Sequence, residues 1–220
     1  GEREGKSLVN FGVSVGHIPV RMAVMGDKAG FLPQTSDKAN AEAASDAQLG
    51  EIKKRVRDGL KKGAVCMGFG IQYTGAAARW EILEAFRVAA EFKASCHVHM
   101  RHNGRKEPNN STHALEEVIA ASAVTGAPLH VVHIHSTSVA ATPRHLQMVT
   151  EANARGMDVT AEVYPYLAGM TKLNSGVFDG NWREALEIDA SHVGARTALQ
   201  AYLSASDGEL QRAAGKVLEL

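Results

Sequence analysis

Apolar positions along this chain recur with strand and helix periods in turn. Residues 8–15 (LVNFGVSV) are apolar and β-rich, and predict a strand that ends in Gly16-His17. Between 45 and 62, Leu49, Ile52, Val56 and Leu60 fall at helical spacing, with Ser45 placed as N-cap. Residues 64–71 predict a short Gly-rich strand. Trp80, Leu83 and Phe86 mark an amphipathic helix over 76–93, and 94–100 reads as a strand. A helix follows at 111–125, a strand at 129–134, a helix at 142–155 opened by Thr142-Pro143, and a strand at 157–163. Residues 26–44 read as a polar loop rich in Gly and Ala. Residues 190–220 read as one or two helices with no following strand.

After the first strand, successive strands lie roughly 30 residues apart, the length of a βα unit. That repeat predicts a parallel sheet with helical crossovers. An open doubly wound sheet and a (β/α)8 barrel both satisfy it. The Gly63, Gly68 and Gly70 cluster follows a helix and lacks the dinucleotide-binding spacing, which removes the main argument for the open sheet. Polar side chains instead recur where each predicted strand ends: His17, Gln72 with Tyr73, His97 with His99, His133 with His135, and Glu162 with Tyr164. Barrels gather their chemistry at those ends, so the α/β reading is a (β/α)8 barrel of the TIM type.

At 220 residues, with 45% hydrophobic and 22% charged positions, the chain is long enough for one sizeable core. Its 24 basic and 24 acidic residues balance, which argues against nucleic acid or an anionic membrane as partner. Cys66 and Cys96 are too few for a disulfide scaffold and suit a reducing cytoplasm. No run approaches the roughly 20 apolar residues of a membrane span.

Chemistry is concentrated in one region. Seven of the ten histidines lie between His97 and His135. Residues i and i+2 of a strand share a face, so His97-x-His99 and His133-x-His135 would each aim two imidazoles at one spot. Neutral imidazole suits Zn²⁺, and a catalytic zinc site needs two or three protein ligands and an open position. His99 and His133 are the strongest ligand candidates. His97 and His135 share their predicted faces, His97 as a group that supports the ligands and His135 as a group that contacts substrate. His130, of opposite parity to His133, is expected to face the helices, and His113 and His145 to lie on helix surfaces. Arg101 and Arg21 follow strand-end histidines and are candidates for bidentate carboxylate binding. Cys96 is expected to pack in the core.

Five segments resemble the D-aminoacylase (N-acyl-D-amino-acid deacylase) family of the amidohydrolase superfamily. They are NFGVSVGHIPVRMAVMG (10–26), DGLKKGAVCMGFGIQYT (58–74), HVHMR (97–101), GAPLHVVHIHS (126–136) and GMDVTAEVYPYLAGMT (156–171). The resemblance implies a (β/α)8 metallohydrolase barrel and zinc-dependent hydrolysis of the amide of N-acyl-D-amino acids. By the same resemblance His99 and His133 are the metal ligands of strands five and six. Tyr164, Tyr166, His135 and Arg101 then become candidate substrate contacts, His135 standing where the family often has lysine. The family's His-x-His of strand one, the cysteine-bearing segment of strand two and the strand-eight Asp that acts as general base have no counterpart. No catalytic base is therefore assignable. The resemblance places strands three to seven in residues 1–189, with 190–220 as a tail, and implies a fragment with an incomplete site. Its open edges invite self-association. The alternatives are a truncated, inactive relative with a binding role, and a deaminase or cyclic-amide hydrolase of the same superfamily.

Overall fold

The computed structural model describes residues 5, 6, 8, 9, 11–166 and 171. The tail at 190–220, and the boundary read at 189, lie outside the described residues. Five strands, β1 (Ser14–Gly16), β2 (Cys66–Gly70), β3 (Ser95–His99), β4 (Leu129–Val131) and β5 (Val159–Ala161), form one sheet in the order β1-β2-β3-β4-β5. All four pairings are parallel. A doubly wound sheet reverses its strand order at a switch point, whereas a barrel adds strands in sequence. The order seen here is the barrel's.

The crossovers carry α1 (His17–Met25), α2 (Lys38–Ala41), α3 (Asp46–Lys61), α4 (Arg79–Glu91), α5 (Ser111–Thr125), α6 (Ile134–Ser138) and α7 (Thr142–Ala154). α3 starts in a capping box. The Ser45 hydroxyl accepts from the Gln48 amide at 3.3 Å, and the Gln48 side chain accepts from the Ser45 amide at 2.8 Å. α5 starts on Asn110, whose Oδ1 accepts from the His113 amide at 2.9 Å, and stops at Gly126 with φ 74°.

α1 occupies residues where the pattern predicts only the end of a strand and a connection. β1 is three residues long, and Leu8, Val9, Phe11 and Val13 are exposed. No side chain caps α1 at Gly16, so its start carries no sequence signal. Pro19 sits in its first turn, where the missing N–H costs nothing.

Side-chain parity divides the sheet into two faces. Met67, Phe69, Cys96, Val98, Leu129, Val131 and Val159 point to the helices and are buried with Ile52, Val56, Ile82, Phe86, Leu115 and Val118. Cys96 is thus a core residue. The opposite face carries Cys66, Gly68 and Gly70 from β2, Ser95, His97 and His99 from β3, and His130 and Thr160 from β4 and β5. Helices cover the first face. The second is the polar face that a barrel would turn inward.

Buried charge ties α1 to the helix layer. His17, fully buried, lies 2.7 Å from Glu81 of α4 through Nε2, and Arg21 pairs with the other Glu81 oxygen. Arg21 also donates from Nε to the Ala39 carbonyl at 2.8 Å, holding α2 in place. His17 and Arg21 are therefore part of the frame. The strand-end position of His17 does not put it on the polar face.

Candidate functional site

β3 and β4 are neighbours, and their ends bring two imidazoles together. Nδ1 of His99 and Nε2 of His133 face each other at 3.0 Å, with the rings edge to face. On the far side of His99, Nε2 lies 2.6 Å from Oε1 of Gln72, in the turn after β2. On the far side of His133, Nδ1 lies 2.8 Å from the Ser136 hydroxyl. Burial, reinforced by His133, pushes the His99 imidazole down to about 3, and burial also lowers His133. Both rings are neutral near pH 7 and keep a lone pair for a metal.

The chain reaches this arrangement by ending β4 early. The predicted strand over 129–134 stops at Val131, and His133 takes the left-handed conformation with φ 36° and ψ 49°. It then caps α6 with its backbone. His133 and His135 consequently do not share a strand face: His135 lies in α6. The parity argument also fails for His130, which stands beside His97 in register with ring centroids 4.7 Å apart. His130 faces the polar side of the sheet, where Nδ1 meets the Thr160 hydroxyl at 2.7 Å.

The other candidates are dispersed around this pair. His97 contacts the Ser95 hydroxyl at 3.0 Å and forms its ring contact with His130, one layer away from His99. His135 packs edge-on against Tyr164 with centroids 4.2 Å apart, and both its ring nitrogens are buried without a partner among the described residues. Tyr164 also approaches His133, at 6.3 Å between centroids. Tyr166 is 72% exposed and stacks loosely on Tyr164.

Arg101 does bind a carboxylate in a fork, but the carboxylate is the chain's own. Nε and Nη2 donate to Glu117 of α5 at 2.8 and 2.7 Å, and Nη1 to the Gly75 carbonyl at 2.9 Å. Each guanidinium nitrogen of Arg101, a candidate substrate contact, thus has a partner within the chain. The surface reading of His145 is corrected: it is fully buried between the Ser138 and Thr112 hydroxyls. His113, expected on a helix surface, is partly covered and contacts Arg79 at 3.0 Å.

Gln72 and Ser136 complete the site. Gln72 was visible as a polar strand-end residue, and Ser136 stands three positions after His133. Neither has a spacing that reveals which imidazole it meets.

The paired nitrogens fit a metal by their separation and chemistry. Two imidazole ligands of a tetrahedral zinc, with Zn–N bonds of about 2.0–2.1 Å, have nitrogens about 3.3 Å apart. Nδ1 of His99 and Nε2 of His133 stand close to that separation. They make two ligands, and no group of three or more His, Cys, Asp or Glu residues is arranged to hold a metal among the described residues.

Comparison with known proteins agrees with this fold. No family model matches the chain. An N-acyl-D-glutamate deacylase of Alcaligenes xylosoxydans xylosoxydans is 29% identical over 174 residues, covering 76% of this chain and 32% of that protein. A D-aminoacylase of the same organism is 27% identical over 176 residues, covering 78% and 33%. The chain is similar to these deacylases over about three quarters of its length. Among solved structures, the Bordetella bronchiseptica N-acyl-D-glutamate deacylase is 25% identical with a TM-score of 0.61, over 75% of this chain and 33% of that one. It was solved with zinc and a phosphonate that mimics the tetrahedral intermediate. A D-aminoacylase structure, described as defining a novel subset of amidohydrolases, matches with the same TM-score of 0.61 and 25% identity, over 75% and 32%. These D-aminoacylase relatives are (β/α)8 barrels, and the five sequential parallel strands correspond to part of one. The chain spans about a third of the length of the relatives that it matches. No helix among the described residues is long and apolar enough to cross a membrane.

Proposed function

We propose that this chain is part of a zinc-dependent amidohydrolase that cleaves the amide of N-acyl-D-amino acids, with His99 and His133 as metal ligands. One observation carries the reading: Nδ1 of His99 and Nε2 of His133, from neighbouring strand ends, converge at 3.0 Å in neutral, half-buried imidazoles. The zinc and tetrahedral mimic named for the Bordetella relative support the choice of metal and of reaction. When bound, zinc supplies Lewis acidity, which polarises an amide carbonyl and makes hydroxide available near neutral pH.

The chain's own side chains then supply binding. His135 has two buried nitrogens to offer, and Tyr164 lies against it, so these two receive the substrate carboxylate. Tyr166 stands at the exposed rim. His97 supports the floor of the site through Ser95 and His130. The remaining metal ligands and the general base are not assigned to any residue described here. Two free cysteines and a histidine site fit a reducing cytoplasm. Among the described residues β1 and β5 each have one edge with no strand beside it, which favours self-association that size-exclusion chromatography would measure.

Zinc titration of the chain and of His99→Asn and His133→Asn tests the ligand assignment. Stoichiometric zinc in the parent and its loss in either variant is the expected result. Unchanged stoichiometry in both variants would refute it.

A further inference from the structure

We propose that Gln72 is a positioning residue: it accepts a hydrogen bond from His99 and so keeps the lone pair of His99 Nδ1 turned toward His133. The inference rests on the assignment of His99 as a ligand and adds the device that selects which of its nitrogens binds.

A neutral imidazole carries one N–H and one lone pair, and its partners decide which nitrogen has which. Oε1 of Gln72 stands 2.6 Å from His99 Nε2. An amide oxygen can only accept, so the proton sits on Nε2 and the lone pair on Nδ1. The Ser136 hydroxyl donates to the His133 carbonyl at 3.1 Å and accepts from His133 Nδ1 at 2.8 Å, which leaves the lone pair of His133 on Nε2. The lone pairs of the two facing nitrogens thus converge, as two ligands of one metal require. Reversing the Gln72 amide would send the proton to His99 Nδ1 and block the nitrogen that faces His133. The short contact favours oxygen at this position, because an N–H···N pair sits farther apart than an N–H···O pair.

Gln72 is held where it can do this. Gly70, the last residue of β2, is the register partner of His99, which sets the two backbones side by side. The 3-10 turn Ile71–Tyr73 follows at once, closed by the Thr74 amide on the Ile71 carbonyl at 3.0 Å. Beyond it, the Gly75 amide donates to Asn40 Oδ1 at 3.0 Å, and Arg101 holds the Gly75 carbonyl. The Tyr73 ring lies beside His99 at 5.1 Å. Both flanks of the turn are thus anchored to other elements.

The test compares the parent chain with Gln72→Glu, which can only accept, and Gln72→Met, which keeps the length and loses the bond. Imidazole ¹⁵N chemical shifts of His99 in the metal-free chain report its tautomer directly. We expect Nε2–H in the parent and in Gln72→Glu, and a shift toward Nδ1–H or a mixture in Gln72→Met. Zinc affinity should fall about 10- to 100-fold in Gln72→Met and be retained in Gln72→Glu. An unchanged tautomer in folded Gln72→Met would overturn the proposal, as would equal loss of zinc affinity in both variants. If the parent chain bound no zinc while the tautomer responded as expected, the ligand assignment would fall and the control by Gln72 would stand.

Discussion

Arg101 and Glu117 form a closed two-bond fork between the loop after β3 and α5, with side chains only 8% and 5% exposed. Replacing Arg101 with Lys keeps the charge and loses the planar fork and the bond to Gly75. A destabilisation of about 1–3 kcal/mol is expected, read as a lower denaturation midpoint with unchanged slope. Arg101→Ala, which leaves Glu117 only the 3.9 Å contact with Arg79, should cost about 3–5 kcal/mol. A substrate-contact role predicts the reverse pattern: full stability with a weakened Michaelis constant.

Glu81 carries a pH-dependent share of stability. Burial opposes its ionisation, but the hydrogen bond and charge of His17 and the charge of Arg21 outweigh this and hold its carboxyl below the ordinary value of 4.5. A lowered folded value means that the contribution is present above about pH 4.5 and is lost as pH falls through the folded value. Glu81→Gln should therefore be markedly less stable than the parent at pH 7. Urea midpoints measured down to pH 3 should show the gap closing.

His99 gives a slope over a different range. Its imidazole is lowered from 6.5 to about 3 by burial and then by His133. Below pH 6.5 the unfolded chain takes up a proton that the folded chain refuses, so stability falls with pH until about pH 3. His99→Gln should flatten that part of the stability curve. A curve of unchanged shape would show that the ring is hydrated in solution.

Gly59 tests the packing of α3 on β1. A Cβ at this position would lie 2.8 Å from Val15 Cγ2 and 3.0 Å from Val15 Cβ. Alanine gains about 1 kcal/mol of helix propensity, against an overpacking cost of about 1–3 kcal/mol. The single variant should lose stability in thermal unfolding. Adding Val15→Ala should recover part of it, a non-additive cycle that marks direct contact.

Much of this fold is legible in the sequence, and the reasons are local. α3 announces itself through Ser45 and the helical spacing of Leu49, Ile52, Val56 and Leu60. The helix read over 111–125 is found as Ser111–Thr125, and the structure shows Asn110 and Gly126 as its caps. The early end of β4 is not legible, because Val131 and Val132 continue a β-branched pattern into His133, whose left-handed turn has no glycine to signal it. The meeting of His99 and His133 follows from strand order alone. Partners that come from distant segments, such as Glu117 for Arg101, Gln72 for His99, and Thr112 for His145, leave no periodic trace. Arg101 in particular met a carboxylate as expected, while the identity of that carboxylate needed three dimensions.

The alternation along β3 has a further consequence. Cys96 and Val98 hold the strand to the helices, while His97 and His99 between them bear no share of that packing. Stability and chemistry are thus written on interleaved letters of one short word. A lineage can rewrite one set while the other stays legible to the folding chain.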